Sequence, residues 1–203
     1  PAGCRPAGGA EAMSGAADRA QRLRMPKVRP DGLFDVTVTF LEMAARPARP
    51  LPHPPQGRKL TLIRAEQPPL HFYRYLYDTI GRDWYWIERK RLSDTALAEI
   101  ICHPEVHIYV LLAAGVPAGF VEIDYRRLPD QAAIAYFGLM PEFVGGGLGR
   151  YFLEWSIDAA WSRGPAKVIL NTCDLDHPGA LPLYQKCGFV PVSQKRIVFD
   201  PVP

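Results

Sequence analysis

The chain has 203 residues, 48% of them hydrophobic, which is enough for one domain with a buried core. Its four cysteines form neither a CxxC pair nor a metal-ligand spacing with the five histidines, so we expect no disulfide framework and no metal site. The net charge is +3, no run of about 18 apolar residues is present, and the N-terminus lacks the core of a signal peptide. These features predict a cytoplasmic protein that is not inserted in a membrane.

Residues 1–32 are rich in Ala, Gly, Arg and Pro and lack apolar periodicity, which predicts a disordered basic tail. Five cations lie in this tail between Arg19 and Arg29, without interleaved aromatic residues. The pattern favours a solvated tail over a nucleic-acid partner. Residues 33–203 are expected to form a single domain.

The predicted elements of that domain alternate between strands and helices. A strand over 34–41 is followed by a proline-rich linker (46–58), a strand over 59–66, helices over 71–83 and 93–102, and a hairpin over 107–113 and 118–126. A strand over 132–140, a helix over 148–161, a strand over 167–170, a short helix over 178–187 and a strand over 189–199 complete the chain. The order predicts an α/β fold, with a mixed sheet, helices on both faces and an extra N-terminal strand.

Three local features refine this prediction. Gly138 interrupts an otherwise apolar strand and suggests a β-bulge. Asp176, His177 and Pro178 suggest an N-cap with proline at the first helical position. Pro182 is expected to kink the short helix, because it removes a backbone hydrogen bond.

A glycine-rich run, Val144-Gly145-Gly146-Gly147-Leu148-Gly149-Arg150, joins the strand over 132–140 to the helix over 148–161. At a helix start, backbone N–H groups lack intrahelical partners and the positive end of the helix dipole faces outward. Missing β-carbons let an anion approach these N–H groups. The run is therefore a candidate phosphate site, although a plain glycine turn would explain it about as well.

A second motif lies downstream, from His177 to Phe189, and reads His-Pro-Gly-Ala-Leu-Pro-Leu-Tyr-Gln-Lys-Cys-Gly-Phe. It is similar to the closing signature N-x-x-A-x-x-x-Y-x-K-x-G-F of the GNAT superfamily of acyl-CoA N-acyltransferases. The glycine run resembles the [QR]-x-x-G-x-[GA] pyrophosphate loop of the same family. The resemblance covers about two thirds of the chain. Val144 and His177 depart from the residues that the family usually has.

The resemblance implies an N-acetyltransferase that transfers acetyl from acetyl-CoA to a primary amine, such as a small amine, a peptide or a protein lysine. By resemblance, the loop amides would bind the pyrophosphate, the backbone of the strand end would pair with the pantetheine arm, and His177 and Tyr184 would lie near the cofactor. The implied cofactor residues are Leu139, Met140, Val144, Gly145, Gly146, Gly147, Leu148, Gly149, Arg150, His177 and Tyr184. A non-catalytic acyl-CoA sensor on the same fold is the alternative, and a homodimer is left open.

Acetyl transfer requires a neutral amine and a protonated leaving thiolate. Tyr184 matches the tyrosine that the family places near the thioester sulfur, and it is the candidate general acid. Glu122 is the first candidate for the base, with Asp124, Glu142, His177 and water as alternatives. Glu122 and Asp124 share one face of a strand, which an exposed acidic face would also explain.

Aromatic residues crowd the first helix of the domain and the turn after it. They are Tyr73, Tyr75, Tyr77, Trp84, Tyr85 and Trp86. By resemblance this region lines the acceptor pocket, but helix periodicity also places several of these side chains in the core. Both interpretations stay open on sequence alone.

Overall fold

The structure, a computed structural model that describes residues 27–202, is organised around one mixed sheet of eight strands. The strands are β1 (Lys27–Val28), β2 (Phe34–Met43), β3 (Leu60–Arg64), β4 (Val106–Ala113), β5 (Val116–Asp124), β6 (Ala132–Leu139), β7 (Val168–Cys173) and β8 (Val190–Phe199). Their order across the sheet is β8-β2-β7-β6-β5-β4-β3, and β1 pairs with the start of β2. The β6–β7 pair is parallel, and the other pairs within the described residues are antiparallel.

Helices cover both faces of this sheet. They are α1 (Leu70–Gly81), α2 (Asp94–Ile101), α3 (Leu148–Trp161) and α4 (Ala180–Lys186). Helices α1 and α2 pack with the side chains of Val110 and Phe120 on one face, whereas α3 packs on the other face with Val121 and Ile123. The sequence prediction of a mixed sheet with helices on both faces is therefore confirmed.

The ends of α2 and α3 follow from their sequences. The Ser93 hydroxyl accepts a hydrogen bond from the Ala96 amide at 3.2 Å and caps α2. Helix α3 has an apolar face that is fully buried, including Phe152 and Ile157, whereas the Arg150 side chain is 66% exposed. The predicted bounds of α3 agree with the structure.

The N-terminal strand β2 lies inside the sheet. It pairs with β7 on one edge and with β8 along the other. Lys27 and Val28, which fall in the segment predicted to be disordered, pair with Asp35 and Phe34. Residues 29–32 form the turn between β1 and β2, in which the Gly32 amide donates to the Arg29 carbonyl at 3.0 Å, and residues 1–26 lie outside the described residues. The extra N-terminal strand is therefore an internal strand of the sheet and not an addition at its edge.

The proline-rich segment between β2 and β3 contains neither helix nor strand. It is held against α3 by Arg49, whose guanidinium donates to the Glu154 carbonyl at 2.9 Å and to the Asp158 carboxylate at 3.1 Å. Arg49 therefore ties this segment, which has no strand pairing, to α3.

The sequence prediction placed the bulge of β6 at the wrong residue. The register between β5 and β6 shifts between Ile134 and Tyr136, so the extra residue is Ala135, whereas Gly138 pairs regularly with Phe120. Gly138 has another reason to lack a side chain, since an added β-carbon would lie 2.3 Å from Cγ2 of Ile80 on α1. The glycine permits close packing of the helix on the strand.

Helix α4 also differs from its prediction. It begins at Ala180 with Gly179 as N-cap, so Pro178 lies before the helix and Pro182 lies in its first turn. A first-turn amide has no intrahelical acceptor, and the proline therefore removes no helical hydrogen bond and causes no kink. Nδ1 of His177 accepts the Gly179 amide at 2.9 Å.

Candidate active site

A cleft opens where β6 and β7 separate. The two strands pair only at Ala132 and Ala133, and beyond this point a cleft of about 680 Å³ lies between them. Its lining includes residues of β6 and β7, the glycine loop, α4, and the segment after α1. The parallel pair with diverging ends is therefore what creates the site.

The glycine loop forms one end of the cleft, with Val144, Gly145 and Gly149 in the lining. Gly145 and Gly147 have φ angles of +86° and +77°, in the left-handed region that favours glycine. Gly147 is the N-cap of α3, and no side chain caps this helix. Within residues 27–202 the amides of Gly145, Gly146 and Gly147 have no hydrogen-bond partner. The loop thus presents free donors beside a helix start.

The other predicted loop residues have distinct surroundings. The Val144 amide already donates to the Pro141 carbonyl at 3.3 Å, and the Val144 side chain is 43% exposed. Leu148 is 0% exposed as a whole residue and does not line the cleft, so neither its side chain nor its backbone faces outward. The Arg150 guanidinium pairs with Glu154 at 3.0 Å, one helical turn away, and this hydrogen bond raises the pKa of Arg150. The loop sequence therefore offers an anion backbone amides rather than an unpaired charged side chain.

The end of β6 supplies backbone groups to the cleft through Leu139 but not through Met140. The Met140 amide donates to the Ala118 carbonyl at 2.9 Å, and its carbonyl accepts the Phe143 amide at 2.9 Å. Because neighbouring residues of a strand direct their backbone groups to opposite sides, those of Leu139 point away from β5, towards the cleft. Of the two predicted pantetheine partners, the structure leaves Leu139 available.

Tyr184 lies in the cleft wall, on α4. Its side chain is 8% exposed, and its hydroxyl has no hydrogen-bond partner among the described residues. Burial, followed by the negative charge of Asp176, raises the pKa of Tyr184 above its ordinary range. The phenol is therefore held protonated, as a donor without an internal acceptor.

His177 also lines the cleft, with its ring against Trp84 at 5.1 Å between centroids. Burial lowers its pKa, which favours the neutral ring. Because Nδ1 accepts the Gly179 amide, the proton of a neutral His177 resides on Nε2. In this tautomer Nε2 is a donor and cannot serve as a base.

Asp176 is a site residue that sequence reasoning missed. One carboxylate oxygen, Oδ2, accepts from the Thr172 hydroxyl at 2.7 Å and from the Cys173 amide at 2.9 Å. The other, Oδ1, has only a long contact of 3.4 Å from the Trp86 indole. Burial raises the pKa of Asp176 despite these hydrogen bonds. Asp176 follows the end of β7 and directly precedes the closing signature, and this position in the sequence could have indicated that it lies at the site.

The candidate base Glu122 lies outside the cleft lining, whose acidic residues within the described chain are Glu88 and Asp176. Glu122 is 1% exposed, accepts the Tyr73 hydroxyl at 2.6 Å, and pairs with Arg89 at 2.6 Å. Burial, followed by the charge of Glu122, raises the pKa of Tyr73 well above its ordinary value. The alternative of an exposed acidic face does not hold for Glu122, which belongs to a buried network.

Arg89 links this network to the cleft wall. Its guanidinium lies 5.0 Å from the ring centroid of Tyr136, which lines the cleft. Its buried Nε atom has no hydrogen-bond partner in the described structure. Glu122 is thus separated from the cleft by one strand and one aromatic ring.

The remaining candidates for the base do not line the cleft. Asp124 pairs with Arg126 at 2.7 Å. Burial alone would raise the pKa of Asp124, but the hydrogen bonds and charge of Arg126 outweigh burial and lower it. Glu142 is exposed, in the short 3₁₀ turn before the glycine loop.

The aromatic cluster divides into three environments. The cleft is lined by Trp84, Tyr85 and Trp86, together with Tyr136 and Phe199. Tyr73 and Tyr77 are buried in the core, and Tyr75 is 49% exposed. Some members of the cluster therefore line the cleft and others belong to the core, and the acceptor pocket stays a prediction.

Among residues 27–202, no three His, Cys, Asp or Glu side chains are grouped so that they could hold a metal ion. No helix in the same range is both long and apolar enough to cross a membrane.

Comparison with known proteins identifies the family. Residues 73–189, more than half of the chain, match the Acetyltransferase (GNAT) family, and the chain belongs to this family. No curated protein matches the sequence. The family predicted from the glycine run and the closing signature is confirmed.

Solved structures share the fold at low sequence identity. A GCN5-related N-acetyltransferase from Sphaerobacter thermophilus is 18% identical, with a TM-score of 0.55 over 92% of this chain and 57% of that one. The corresponding enzyme from Kribbella flavida is 15% identical, with a TM-score of 0.52 over 83% and 61%. The chain thus spans less than two thirds of either protein.

An aminoglycoside acetyltransferase from an uncultured soil sample is 14% identical, with a TM-score of 0.51 over 63% of this chain and 86% of that one. At these identities the three structures support the GNAT fold, which the sequence had predicted.

Proposed function

We propose that the protein transfers an acetyl group from acetyl-CoA to a primary amine by direct attack within one cleft. The observation that carries this proposal is the cleft itself, which joins loop amides and a phenol that have no partner within residues 27–202 to a buried carboxylate. The reaction class is inferred from the family, and the role of each residue is inferred from the surroundings of its side chain.

The donor end fits the diphosphate of CoA. The amides of Gly145, Gly146 and Gly147 have no partner within the described chain, and glycine leaves room for an anion against the backbone. The first-turn amides of Gly149 and Arg150 add to them, and the backbone of Leu139 would pair with the pantetheine arm. When bound, acetyl-CoA supplies the activated acetyl thioester.

Tyr184 is the proposed general acid. A thiolate leaving group needs a proton, and the raised pKa of this phenol keeps its proton available in the cleft. The nearby negative charge of Asp176 acts in the same direction, because it disfavours the phenolate.

Asp176, rather than Glu122, is the proposed acceptor of the amine proton. Oδ2 is fixed by two donors, which leaves Oδ1 as the oxygen free to accept. Burial moves the pKa of Asp176 towards neutral pH, and a general base is most effective when its pKa lies near the working pH. Glu122 is already neutralised by Arg89.

The acceptor end is aromatic and acidic, which suits a protonated amine attached to an apolar or aromatic body. Tryptophan and tyrosine rings attract cations through their faces. Glu88, exposed at this end and within 3.2 Å of the Tyr77 hydroxyl, would attract the ammonium before it loses its proton.

The test is thiol release from acetyl-CoA against a panel of polyamines, aromatic amines, aminoglycosides, amino acids and peptides. The expected result is turnover with at least one class of amine, lost on Tyr184→Phe. The matched control is Tyr75→Phe, which removes the hydroxyl of an exposed tyrosine outside the cleft. A Tyr184→Phe rate within about twofold of wild type would remove the acid role.

CoA binding without turnover across the whole panel would instead favour the non-catalytic sensor. Failure to bind CoA at all would contradict the proposal.

A further inference from the structure

Arg58 lies against the glycine loop, far from it in sequence. It comes from the end of the proline-rich segment, just before β3. The next residue, Lys59, accepts the Ala114 amide at 2.8 Å, so the backbone beside Arg58 is tied to the turn between β4 and β5. This anchor positions the guanidinium beside the loop.

The contact is with Gly146. A β-carbon on this glycine would lie 2.4 Å from Nη2 of Arg58 and 3.3 Å from Cζ. Gly146 therefore provides the space in which the guanidinium sits, next to amides that have no partner among the described residues. The loop amides and the Arg58 guanidinium therefore lie side by side on one surface.

The guanidinium has neither a carboxylate nor a hydrogen-bond partner within residues 27–202. The other arginines near the start of α3 are committed elsewhere, since Arg49 pairs with Asp158 and Arg150 pairs with Glu154. Arg58 is therefore the unpaired cation of this loop among the described residues.

We propose that Arg58 binds the phosphates of the acyl-CoA at the glycine loop, an inference that rests on the proposed function. The loop amides are neutral, and Val144, at the opening of the loop, brings no charge or side-chain hydrogen bond. A guanidinium offers paired donors that match two phosphate oxygens, together with a full positive charge. An arginine from a different segment thus supplies what the loop sequence lacks.

The experiment measures binding of CoA by titration calorimetry to the whole chain and to Arg58→Ala at low ionic strength. The expected result is a Kd about tenfold higher, or more, as for loss of hydrogen bonds to a charged group. The matched control is Arg46→Ala, which removes an exposed cation of the same proline-rich segment. Arg58 is exposed, so its replacement is expected to leave the unfolding transition unchanged.

Two further ligands identify the phosphate. The Arg58→Ala defect should disappear with S-acetylpantetheine, which has no phosphate. If the defect persists with 3′-dephospho-CoA, Arg58 binds the diphosphate, and if it vanishes there, Arg58 binds the 3′-phosphate.

Equal affinities of Arg58→Ala and Arg46→Ala for CoA would overturn the inference while leaving the proposed function intact. A wild-type chain that does not bind CoA would overturn both.

Discussion

Replacing Glu122 by Gln separates a structural role from a catalytic one. The carboxylate is 1% exposed, and its two oxygens are used by Tyr73 and Arg89 at 2.6 Å each. The amide keeps the shape but removes the negative charge, so that Arg89 is left without its counter-ion in a largely buried position. We expect Glu122→Gln to destabilise the fold.

The magnitude follows from burial. Removing one partner of a buried ion pair costs about 3–5 kcal/mol. Because the Arg89 side chain is 16% exposed and lies over the Tyr136 ring, the lower end applies, about 3 kcal/mol. For a domain of this size that lowers Tm by roughly 6–12 °C.

The assay pairs urea unfolding with a pH–rate profile of acetyl transfer under conditions where the variant is folded. Glu105→Gln, which breaks the half-exposed pair with Arg163, should change the unfolding free energy by less than about 1 kcal/mol. The triple variant Tyr73→Phe/Glu122→Leu/Arg89→Leu, which leaves neither the buried hydroxyl nor the guanidinium without its partner, should recover much of the lost stability. A Glu122→Gln variant of wild-type stability that has lost one limb of the profile would refute the reasoning and restore Glu122 as the base.

Three further outcomes follow from the geometry. Gly138→Ala should cost about 1–3 kcal/mol in urea unfolding, because its β-carbon would lie 2.3 Å from Ile80, and the cost should shrink towards zero in an Ile80→Ala background. At Gly147, where φ is +77° in open space, Ala should cost about 1–2 kcal/mol and Asn less, as measured by thermal unfolding. In wild type, kcat/KM should fall as pH drops through the raised pKa of Asp176, because the protonated carboxyl cannot accept a proton, and Asp176→Asn should lack this limb. A limb that persists in Asp176→Asn would assign it to another group.

Periodicity and turn chemistry predicted most of the architecture. Helix α3 has both an apolar stripe and a glycine start, and its bounds were predicted to the residue. The error in α4 concerned only where the helix begins, whereas the error in β6 arose from a tertiary contact. Gly138 is required by the approach of Ile80, and no pattern within the strand shows which helix will pack on it.

The site was predictable only in part. The backbone donors of the glycine loop follow from chain order, because a glycine turn before a helix leaves its amides free. Glu122 could not be distinguished from Asp176 in this way, since partners such as Arg89 and Thr172 are brought together by the sheet. The Arg58–Gly146 contact likewise joins segments almost ninety residues apart.

The position of β2 constrains how the molecule is assembled. This strand precedes β3 in the chain but is flanked by β7 and β8, which follow β3 to β6 in sequence. Its register therefore joins Phe34 to Phe199 and Met43 to Val168, pairings of high sequence separation that make folding slow. During translation, β2 can pair with β1 only at its first two residues, and the rest of the strand has no partner until β7 and β8 leave the ribosome. A circular permutant that begins at α1 and carries β2 after β8 would turn the β2–β8 pair into a local hairpin.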